Sequence, residues 1–186
     1  MSDAASRYVS RGGEKLAAAI ERFAIDVRGL TACDFGSHAG GFVDCLLQHG
    51  AARVYAVDPG YGVLDYRLRK DPRVVVHERT NALRFICPEP CDIVSIDVGW
   101  TAQRMILPAA QRALKPGGRV ISLIKPHYEA GPAQLDGGVL PRERLPEVLA
   151  RCRTDIAQLG WTILNETESP ITGHGGNVEF LWLLRR

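Results

Sequence analysis

A glycine-rich turn between an apolar strand and a helical pattern constrains this chain more than any other feature. The segment 31–35 is predicted to be a strand that carries a carboxylate near its end, and helical spacing of apolar residues resumes at Phe42. Three glycines lie between them, at Gly36, Gly40 and Gly41. Glycine lets the backbone approach a ligand closely and adopt torsion angles that other residues avoid. The run predicts a cofactor-binding loop that opens a helix, although an ordinary glycine-rich turn has the same composition.

The spacing of these glycines indicates which cofactor the loop would hold. A dinucleotide-binding loop has the pattern G-x-G-x-x-G, whereas three residues separate Gly36 from Gly40 here. The acidic residue Asp34 precedes the first glycine. An acidic residue followed by this spacing favours S-adenosylmethionine over a cofactor that contains pyrophosphate. The loop residues predicted to contact the cofactor are Asp34, Gly36, Ser37, His38, Gly40, Gly41 and Phe42.

Predicted strands and helices alternate along the rest of the chain. Strands are predicted at 31–35, 53–58, 74–78, 92–98, 119–125, 161–166 and 178–184, with helices at 41–49, 62–69, 101–114 and 142–159. This order predicts an α/β fold built on a seven-stranded, mostly parallel, Rossmann-like sheet. No helix is predicted between the last two strands, so we expect them to pair as an antiparallel hairpin.

The first residues of the chain do not continue the strand and helix pattern. Residues 1–12 are polar and basic, and we expect a mobile arm or an entry strand there, ended by a turn at Gly12 and Gly13. Apolar residues at helical spacing from Glu14 onward predict an amphipathic helix with Lys15 in its first turn. The length of 186 residues fits a single domain over residues 1–186.

Composition excludes several classes of protein. No apolar run approaches the roughly 18 residues of a membrane span, and the first residues lack the apolar core of a signal peptide, so we expect a cytoplasmic protein. Five scattered cysteines argue against a disulfide framework. Cys87 and Cys91 have no second pair to complete a zinc site, so no metal is expected. A net charge of +2 does not by itself indicate nucleic acid binding.

Polar residues follow four of the predicted strands, at the edge of the sheet where such folds bind ligands. Asp58 ends the second strand, 22 positions after Gly36, and could accept hydrogen bonds from both ribose hydroxyls of an adenosine or act only as a helix cap. Asn81 follows the third strand and could contact the adenine edge. The fourth and fifth strands lead into Asp97 and Lys125, which we expect to pair because burying either charge alone is costly.

Short segments spread over nearly the whole chain carry a family resemblance. They are Val9 to Leu16, Gly40 to Leu47, Val54 to Asp58, Gly60 to Gly62, Asp71 to Val76, Glu78 to Asn81, Ile124 to Pro126, Glu129 to Gly131, Ser169 to Ile171 and Gly176 to Leu181. Together they resemble the FtsJ-like ribose 2′-O-methyltransferases, most closely the TlyA (haemolysin A) branch that acts on ribosomal RNA. The resemblance implies the methyltransferase form of the seven-stranded fold and S-adenosylmethionine as cofactor.

The resemblance also implies a catalytic tetrad. The matching positions are Lys15, Asp97, Lys125 and Glu179, and two of the four lysines in the chain therefore fall on tetrad positions. Asp97 is expected to contact the cofactor as well. Members of this branch usually carry an S4-type RNA-binding domain ahead of the methyltransferase domain, and this sequence begins 14 residues before Lys15. We therefore expect a chain without that domain, to which a separate RNA-binding partner could contribute.

The implied reaction moves a methyl group to a ribose 2′-hydroxyl by in-line displacement. A lysine that removes the hydroxyl proton must be neutral, but the ordinary pKa of about 10.4 is roughly three pH units too high. Nearby carboxylates would raise the pKa further. We therefore expect Lys125 to hold the hydroxyl and stabilise developing negative charge, with Asp97 orienting Lys125. Lys15 and Glu179 would steer the ribose.

Candidate RNA contacts lie near the predicted cleft. Arginines offer phosphate contacts and aromatic rings offer stacking surfaces for unpaired bases. Solvated surface arginines and a packing tyrosine explain the same residues equally well. The predicted RNA-binding residues are Arg7, Tyr8, Arg11, His127 and Tyr128.

Two departures from the family pattern keep other functions open. The glycine loop reads Ser37-His38-Ala39 where relatives usually have smaller or hydroxylated residues, and Gly99-Trp100 follows Asp97 where the branch typically has Ser-Phe. One alternative is a methyltransferase with a non-RNA substrate. Another is an RNA-binding or assembly protein of the same fold with weak or no catalysis. A pore-forming haemolysin lacks support because the sequence has no membrane-spanning or amphipathic stretch suited to it.

Overall fold

The structure is a computed structural model that describes residues 7–186. Its strands are β1 (Thr31–Phe35), β2 (Arg53–Val57), β3 (Val74–His77), β4 (Cys91–Ile96), β5 (Leu114–Ile124), β6 (Thr162–Glu168) and β7 (Phe180–Arg185). Its helices are α1 (Gly12–Arg22), α2 (Gly41–Gln48), α3 (Tyr66–Lys70), α4 (Gln103–Ala113), α5 (Pro126–Glu129) and α6 (Leu145–Gln158). Within residues 7–186, no helix is long and apolar enough to cross a membrane.

The seven strands form one sheet in the order β3-β2-β1-β4-β5-β7-β6. The pairs among β1 to β5 are parallel, whereas β7 runs antiparallel to both of its neighbours, β5 and β6. The predicted α/β class, the mostly parallel seven-stranded sheet and the antiparallel pairing of the last two strands are therefore confirmed.

Two apolar clusters, one on each face of the sheet, form the core. Successive residues of a strand point to opposite faces, so Ala32 joins one cluster and Cys33 joins the other. On the first face, α1 and α2 contribute Leu16 and Val43, both fully buried. On the second face, α4 and α6 contribute residues such as Ile106. The central strands β1 and β4 are almost entirely buried because both faces of the sheet are covered, as is usual for parallel sheets.

One edge of the sheet gathers the ends of strands that are distant in sequence. Parallel strands β1, β4 and β5 all end at this edge, while the antiparallel strand β7 begins there. Ile124, the last residue of β5, pairs with Phe180, the first residue of β7. The residues that flank them, Lys125 and Glu179, therefore emerge on the same side of the molecule.

Several predicted boundaries shift. Gly12 and Gly13 form the first turn of α1 instead of a turn before it. A Cβ at Gly13 would collide with the ring of Tyr8, which explains why glycine occupies this helical position. Strand β5 begins at Leu114, earlier than expected, and the short helix α5 was not predicted. Pro126 begins that helix, a position where the fixed torsion of proline is favourable.

The predicted N-terminal arm needs a correction where it is described. Residues 1–6 lie outside the described part of the chain, but residues 7–11 pack against the domain. Tyr8 belongs to the first apolar cluster, and the backbone N–H of Val9 donates to Asp44 Oδ2 at 2.9 Å. Tyr8 is thus part of the core and Val9 packs against it, while Arg7 and Arg11 are exposed. An apolar ring buried in this way stabilises the start of α1.

Candidate active site

A cleft with two adjoining lobes opens at the strand edge described above. The lobe that we call the lysine lobe has a volume of about 420 Å³ and is lined by both Lys15 and Lys125. The second, the Asp58 lobe, has a volume of about 430 Å³ and contains Asp58 and Asn81 in its lining. Both lobes share four residues in their linings, so they form one continuous cleft. The shared residues are Gly36, His38, Asp97 and Lys125.

The first charged pair in the lysine lobe joins neighbouring strands. Asp97 follows β4, and its backbone N–H donates to the carbonyl of Phe35 at 2.8 Å. Lys125 follows β5, and its Nζ lies 2.6 Å from Asp97 Oδ1. The same Nζ donates to the carbonyl oxygen of Val98 at 3.2 Å. The pairing of Asp97 with Lys125 that the strand ends predicted is confirmed.

The second charged pair joins residues 164 positions apart. Lys15 in the first turn of α1 donates from Nζ to Glu179 Oε2, just before β7. Glu179 is almost fully buried, with 3% of its side chain exposed. A Cβ at Gly173 would collide with the carboxylate of Glu179, so the loop before β7 closes tightly over it. All four predicted tetrad residues therefore line one lobe.

The electrostatics of the lobe keep Lys125 charged. Burial acts to lower its pKa, but the charge and hydrogen bond of Asp97, together with the charge of Glu179, outweigh burial and raise the pKa above the ordinary lysine value. A lysine in this state has no lone pair to accept a proton. It can donate hydrogen bonds and stabilise negative charge.

The glycine loop lies between the two lobes. Gly36 has a φ of 85°, and a Cβ there would collide with the carbonyl oxygen of Asp97. The loop is held from the other side because the backbone N–H of His38 donates to Asp58 Oδ2 at 2.8 Å. His38 itself has a φ of 44°, and its exposed side chain faces both lobes. The loop thus forms the floor of the cleft at the start of α2.

The Asp58 lobe combines carboxylate, amide and apolar groups. Asp58 Oδ1 also accepts the backbone N–H of Gly60 at 2.7 Å, so this buried carboxylate is fixed on two sides. Asn81 caps a short turn, with Oδ1 accepting from the N–H of Leu83 at 2.9 Å. The side chain of Ile106 adds an apolar wall. A cavity of this kind suits an adenosine, which offers ribose hydroxyls and a flat apolar ring.

Two predicted cofactor contacts do not line either lobe. Asp34 is fully buried beneath the loop, where Oδ1 accepts from Ser95 Oγ at 2.6 Å. Burial, together with the charges of Asp97 and Asp58, raises the pKa of Asp34 to about 8, although the hydrogen bond from Ser95 acts to lower it. Gly40 has a φ of 99° at the start of α2, and its α-carbon faces Leu68 instead of the cleft. Direct cofactor contact by these two residues is corrected to support of the loop.

The predicted RNA-binding residues separate into two groups. Arg11, His127 and Tyr128 line the lysine lobe. Arg7 lies on a different cleft, beside α2 and α3, and Tyr8 is buried in the core. A ring packed in this way cannot stack on a base, so the RNA-stacking role expected of Tyr8 is corrected to a structural one.

Sequence reasoning did not assign Trp100 to the site. Its side chain is 85% exposed, and it follows Asp97 closely at the end of β4. The ring lies against Tyr128, with centroids 4.7 Å apart. Trp100 also has a φ of 52°, a backbone angle that residues other than glycine rarely adopt. The available signal in the sequence was an aromatic residue close to Asp97 at the end of a predicted strand.

The residues present fit S-adenosylmethionine. Gly36 allows a close approach between the loop and β4 that a side chain would block. The Asp58 lobe offers a carboxylate and an amide for an adenosine, and the loop continues into the N-terminal end of α2, which favours negatively charged groups such as a carboxylate. The strand order, the antiparallel β7 and this loop define the class of S-adenosylmethionine-dependent methyltransferases.

Comparison with known proteins specifies the family. Residues 8–186 match the FtsJ-like methyltransferase family. The 16S/23S rRNA (cytidine-2′-O)-methyltransferase TlyA of Mycobacterium tuberculosis is 43% identical over 98% of this chain and 70% of its own length. This chain belongs to the FtsJ-like methyltransferase family, and the predicted family and cofactor are confirmed.

Solved structures agree with this assignment. A structure from Streptococcus thermophilus, described as a hemolysin, superposes with a TM-score of 0.94 at 37% identity and covers 98% of this chain and 68% of that one. An S-adenosylmethionine-dependent methyltransferase from Mesorhizobium loti gives a TM-score of 0.66 at 17% identity over 91% of this chain and 96% of that one. The second likeness shows the fold alone.

Proposed function

We propose that this chain transfers a methyl group from S-adenosylmethionine to a ribose 2′-hydroxyl of ribosomal RNA. The observation that carries the proposal is the set of two lysine–carboxylate pairs in one lobe of the cleft of an FtsJ-like family member. The M. tuberculosis relative is named for methylation of cytidine 2′-oxygens in 16S and 23S rRNA. Its similarity supports cytidine as the target nucleoside.

In this proposal the Asp58 lobe holds the adenosine part of the cofactor. Asp58 accepts hydrogen bonds from the ribose hydroxyls with the lone pairs that His38 and Gly60 leave available. Asn81 contacts the adenine edge. The bound cofactor supplies an already activated methyl group, so the protein has to align the reacting atoms and manage the hydroxyl.

The four charged residues then act on the RNA. Lys125 donates a hydrogen bond to the 2′-oxygen and stabilises the negative charge that develops there, a role that its raised pKa supports. Asp97 holds Lys125 in position at 2.6 Å. Lys15 and Glu179 bind the ribose from the opposite side of the lobe. This division of roles requires no change of charge on either lysine.

Groups around the lysine lobe would hold the RNA strand. Arg11 lies in the lining, where a guanidinium can contact a phosphate. Trp100 and Tyr128 form a two-ring surface on which an unpaired base can stack, an interaction worth about 1–3 kcal/mol per base. A separate RNA-binding partner could add affinity, and a ribosomal RNA substrate supports the expected cytoplasmic location.

The test is incubation of the purified protein with isotope-labelled S-adenosylmethionine and either intact ribosomal subunits or naked ribosomal RNA. Nucleoside mass spectrometry should then find label in 2′-O-methylcytidine. Label in a base-methylated nucleoside would contradict the ribose assignment. No label, with calorimetry showing cofactor binding, would favour a methyltransferase of another substrate. No label and no cofactor binding would favour an RNA-binding protein without catalysis.

A further inference from the structure

We infer that Cys87 and Cys91 form a reversible redox pair, which a hydroperoxide converts to a disulfide. The Cys87 thiolate attacks one oxygen of hydrogen peroxide, the O–O bond breaks, and the second oxygen leaves as hydroxide and takes up a proton. The Cys91 sulfur then attacks the sulfur of the resulting sulfenic acid, whose oxygen leaves as water with the Cys91 proton. Two thiols and one peroxide thus give one disulfide and two waters. Neither cysteine lines the cleft, so this site is separate from the proposed methyl transfer.

The two thiols are already in contact in the reduced protein. Cys87 Sγ and Cys91 Sγ lie 3.5 Å apart, and only three residues separate them along the chain. The central one of these, Glu89, has a proline on each side, and the fixed torsion of proline limits the freedom of the loop. The loop is also anchored, because the hydroxyl of Tyr55 donates to Glu89 Oε1 at 2.9 Å. The loop therefore holds the two sulfurs together before any oxidation.

Cys87 is the thiol that an oxidant reaches first. All five cysteines of the chain lie in the described residues, and the other four are buried. Hydrogen bonds from the thiols of Cys33 and Cys91 lower the pKa of Cys87 well below that of an ordinary thiol, although burial opposes them. The backbone N–H of Glu89 and the imidazole of His77 act in the same direction. The thiolate is the form that attacks a peroxide, so Cys87 combines access with reactivity.

Cys91 has the opposite properties, which suit the second step. The hydrogen bond with Cys33 acts to lower its pKa, but the hydrogen bond to Cys87, burial and the negative charge of Cys87 outweigh it and raise the pKa. Cys91 therefore stays protonated until Cys87 has been oxidised. A sulfenic acid carries no charge, so its formation removes part of what holds the proton on Cys91. Cys91 then captures the sulfenic acid before a second peroxide oxidises it to sulfinic acid, a state that thiols do not reduce.

Cys33 contacts both thiols but is held more firmly than Cys91. It is the third residue of β1, a central strand that pairs with β2 on one side and β4 on the other. Cys91 is the first residue of β4 and lies beside the loop. A disulfide needs the two sulfurs to approach to about 2.05 Å, and the end of a strand can make that movement with less loss of pairing than its centre. Cys33 therefore supports Cys87 as a hydrogen-bond donor, while Cys91 closes the bond.

The first test is oxidation of the reduced wild-type protein with stoichiometric hydrogen peroxide, followed by tryptic digestion without reductant. The tryptic peptide 85–104 contains Cys87 and Cys91 and no other cysteine. Mass spectrometry should show that most of this peptide has lost two hydrogen atoms, and dithiothreitol should restore them. A crosslink from Cys87 to Cys33 or to a second molecule would overturn the assignment, as would retention of all five thiols.

A metal site is the rival interpretation of this thiol cluster. Within residues 7–186, no group of histidine, cysteine, aspartate or glutamate side chains is arranged to hold a metal ion. Native mass spectrometry of the purified protein, with added zinc and without it, should therefore show no metal held by these thiols. Stoichiometric zinc that protects Cys87 and Cys91 from peroxide would overturn the redox pair.

Single substitutions separate the roles of the two cysteines. In Cys91→Ser the sulfenic acid has no partner, so the fraction of Cys87 found as sulfinic acid after excess peroxide should rise about tenfold over the wild-type protein. In Cys87→Ser the protein should consume peroxide about tenfold more slowly, because the reactive thiolate is gone. Cys152→Ser is the control that should behave as the wild type, since Cys152 is buried and burial raises its pKa. Equal amounts of sulfinic acid in Cys91→Ser and wild type would overturn the protective role of Cys91, and the wild-type peptide result does not depend on how any variant folds.

Discussion

The two lysine–carboxylate pairs of the cleft have similar chemistry but different surroundings. Lys125 and Asp97 follow neighbouring parallel strands, and a quarter of the Asp97 side chain is exposed to the cleft. Lys15 and Glu179 come from the first helix and the last strand, and Glu179 is almost completely buried. The first pair is therefore open to a substrate, while the second also connects two distant parts of the fold.

This difference predicts that the two pairs separate activity from stability. Removing Lys125 leaves a carboxylate that is a quarter exposed and that water in the cleft can still solvate, so it should cost less folding free energy than removing the cation of a buried carboxylate. Removing a partner from a buried pair leaves a charge without compensation and costs about 3–5 kcal/mol. Substitution of Lys125 should therefore mainly lower activity, whereas substitution of Lys15 should lower both activity and stability.

The largest effect is expected for Lys125→Met. Losing the hydrogen bond and positive charge at the 2′-oxygen should lower kcat about 1,000-fold, the upper range found for single stabilising donors. Calorimetry should show nearly unchanged binding of S-adenosylmethionine, and urea unfolding should show a smaller loss of stability than Lys15→Met causes. If Lys125 acts only as a fixed positive charge, Lys125→Arg should retain much of the activity. Wild-type turnover in Lys125→Met would disprove the assigned role.

The second effect concerns Lys15→Met. Glu179 then loses its cation in a buried site, so the free energy of unfolding at pH 7 should fall by about 3 kcal/mol in urea titrations. Glu179→Gln in the same chain should recover much of this loss, because the uncompensated charge disappears. Equal destabilisation by Lys15→Met and Lys125→Met would show that the two lysine–carboxylate pairs do not differ in their contribution to stability.

The smallest effect concerns Asp34, a buried carboxylate that has no cation. Because its pKa of about 8 in the folded protein exceeds the ordinary value of about 3.9, the folded state retains a proton that the unfolded state releases. This contribution to stability is fully present below about pH 4 and is lost as the pH rises through about 8. Between pH 6 and 9 the wild-type protein should lose roughly 2–3 kcal/mol more stability than Asp34→Asn. Parallel stability profiles for the two proteins would show that Asp34 ionises normally.

How far the sequence predicts this site depends on the distance between partners along the chain. Apolar runs located every strand, and the polar residues at the ends of two strands sufficed to predict the pair of Asp97 with Lys125. Nothing local links Lys15 to Glu179, because their contact depends on β7 entering the sheet beside β5 in the antiparallel direction. Family resemblance, not residue pattern, identified these two residues as site positions, and their contact with each other was not predicted.

Other misses have similar causes. Tyr8 is polar at one end and lies in a basic segment, so its sequence context suggested the surface, whereas a glycine opposite its ring allows burial. Asp34 precedes the glycines as a ligand-binding residue would, but the direction of its side chain is set by the alternation of β1. The sequence marks Trp100 only as a departure from the family pattern. Its position beside the site follows from the contact between its ring and Tyr128, which the sequence does not reveal.

The antiparallel direction of β7 also affects the point during synthesis at which the chain can complete its cleft. The five strands from β1 to β5 can pair as soon as they have been made, yet Glu179 reaches the cleft only when β7 inserts between β5 and β6. A chain that has not yet placed β7 in the sheet therefore lacks one of the four groups that we propose act on the ribose. Under the proposed roles, we expect methyl transfer only from chains in which β7 has joined the sheet.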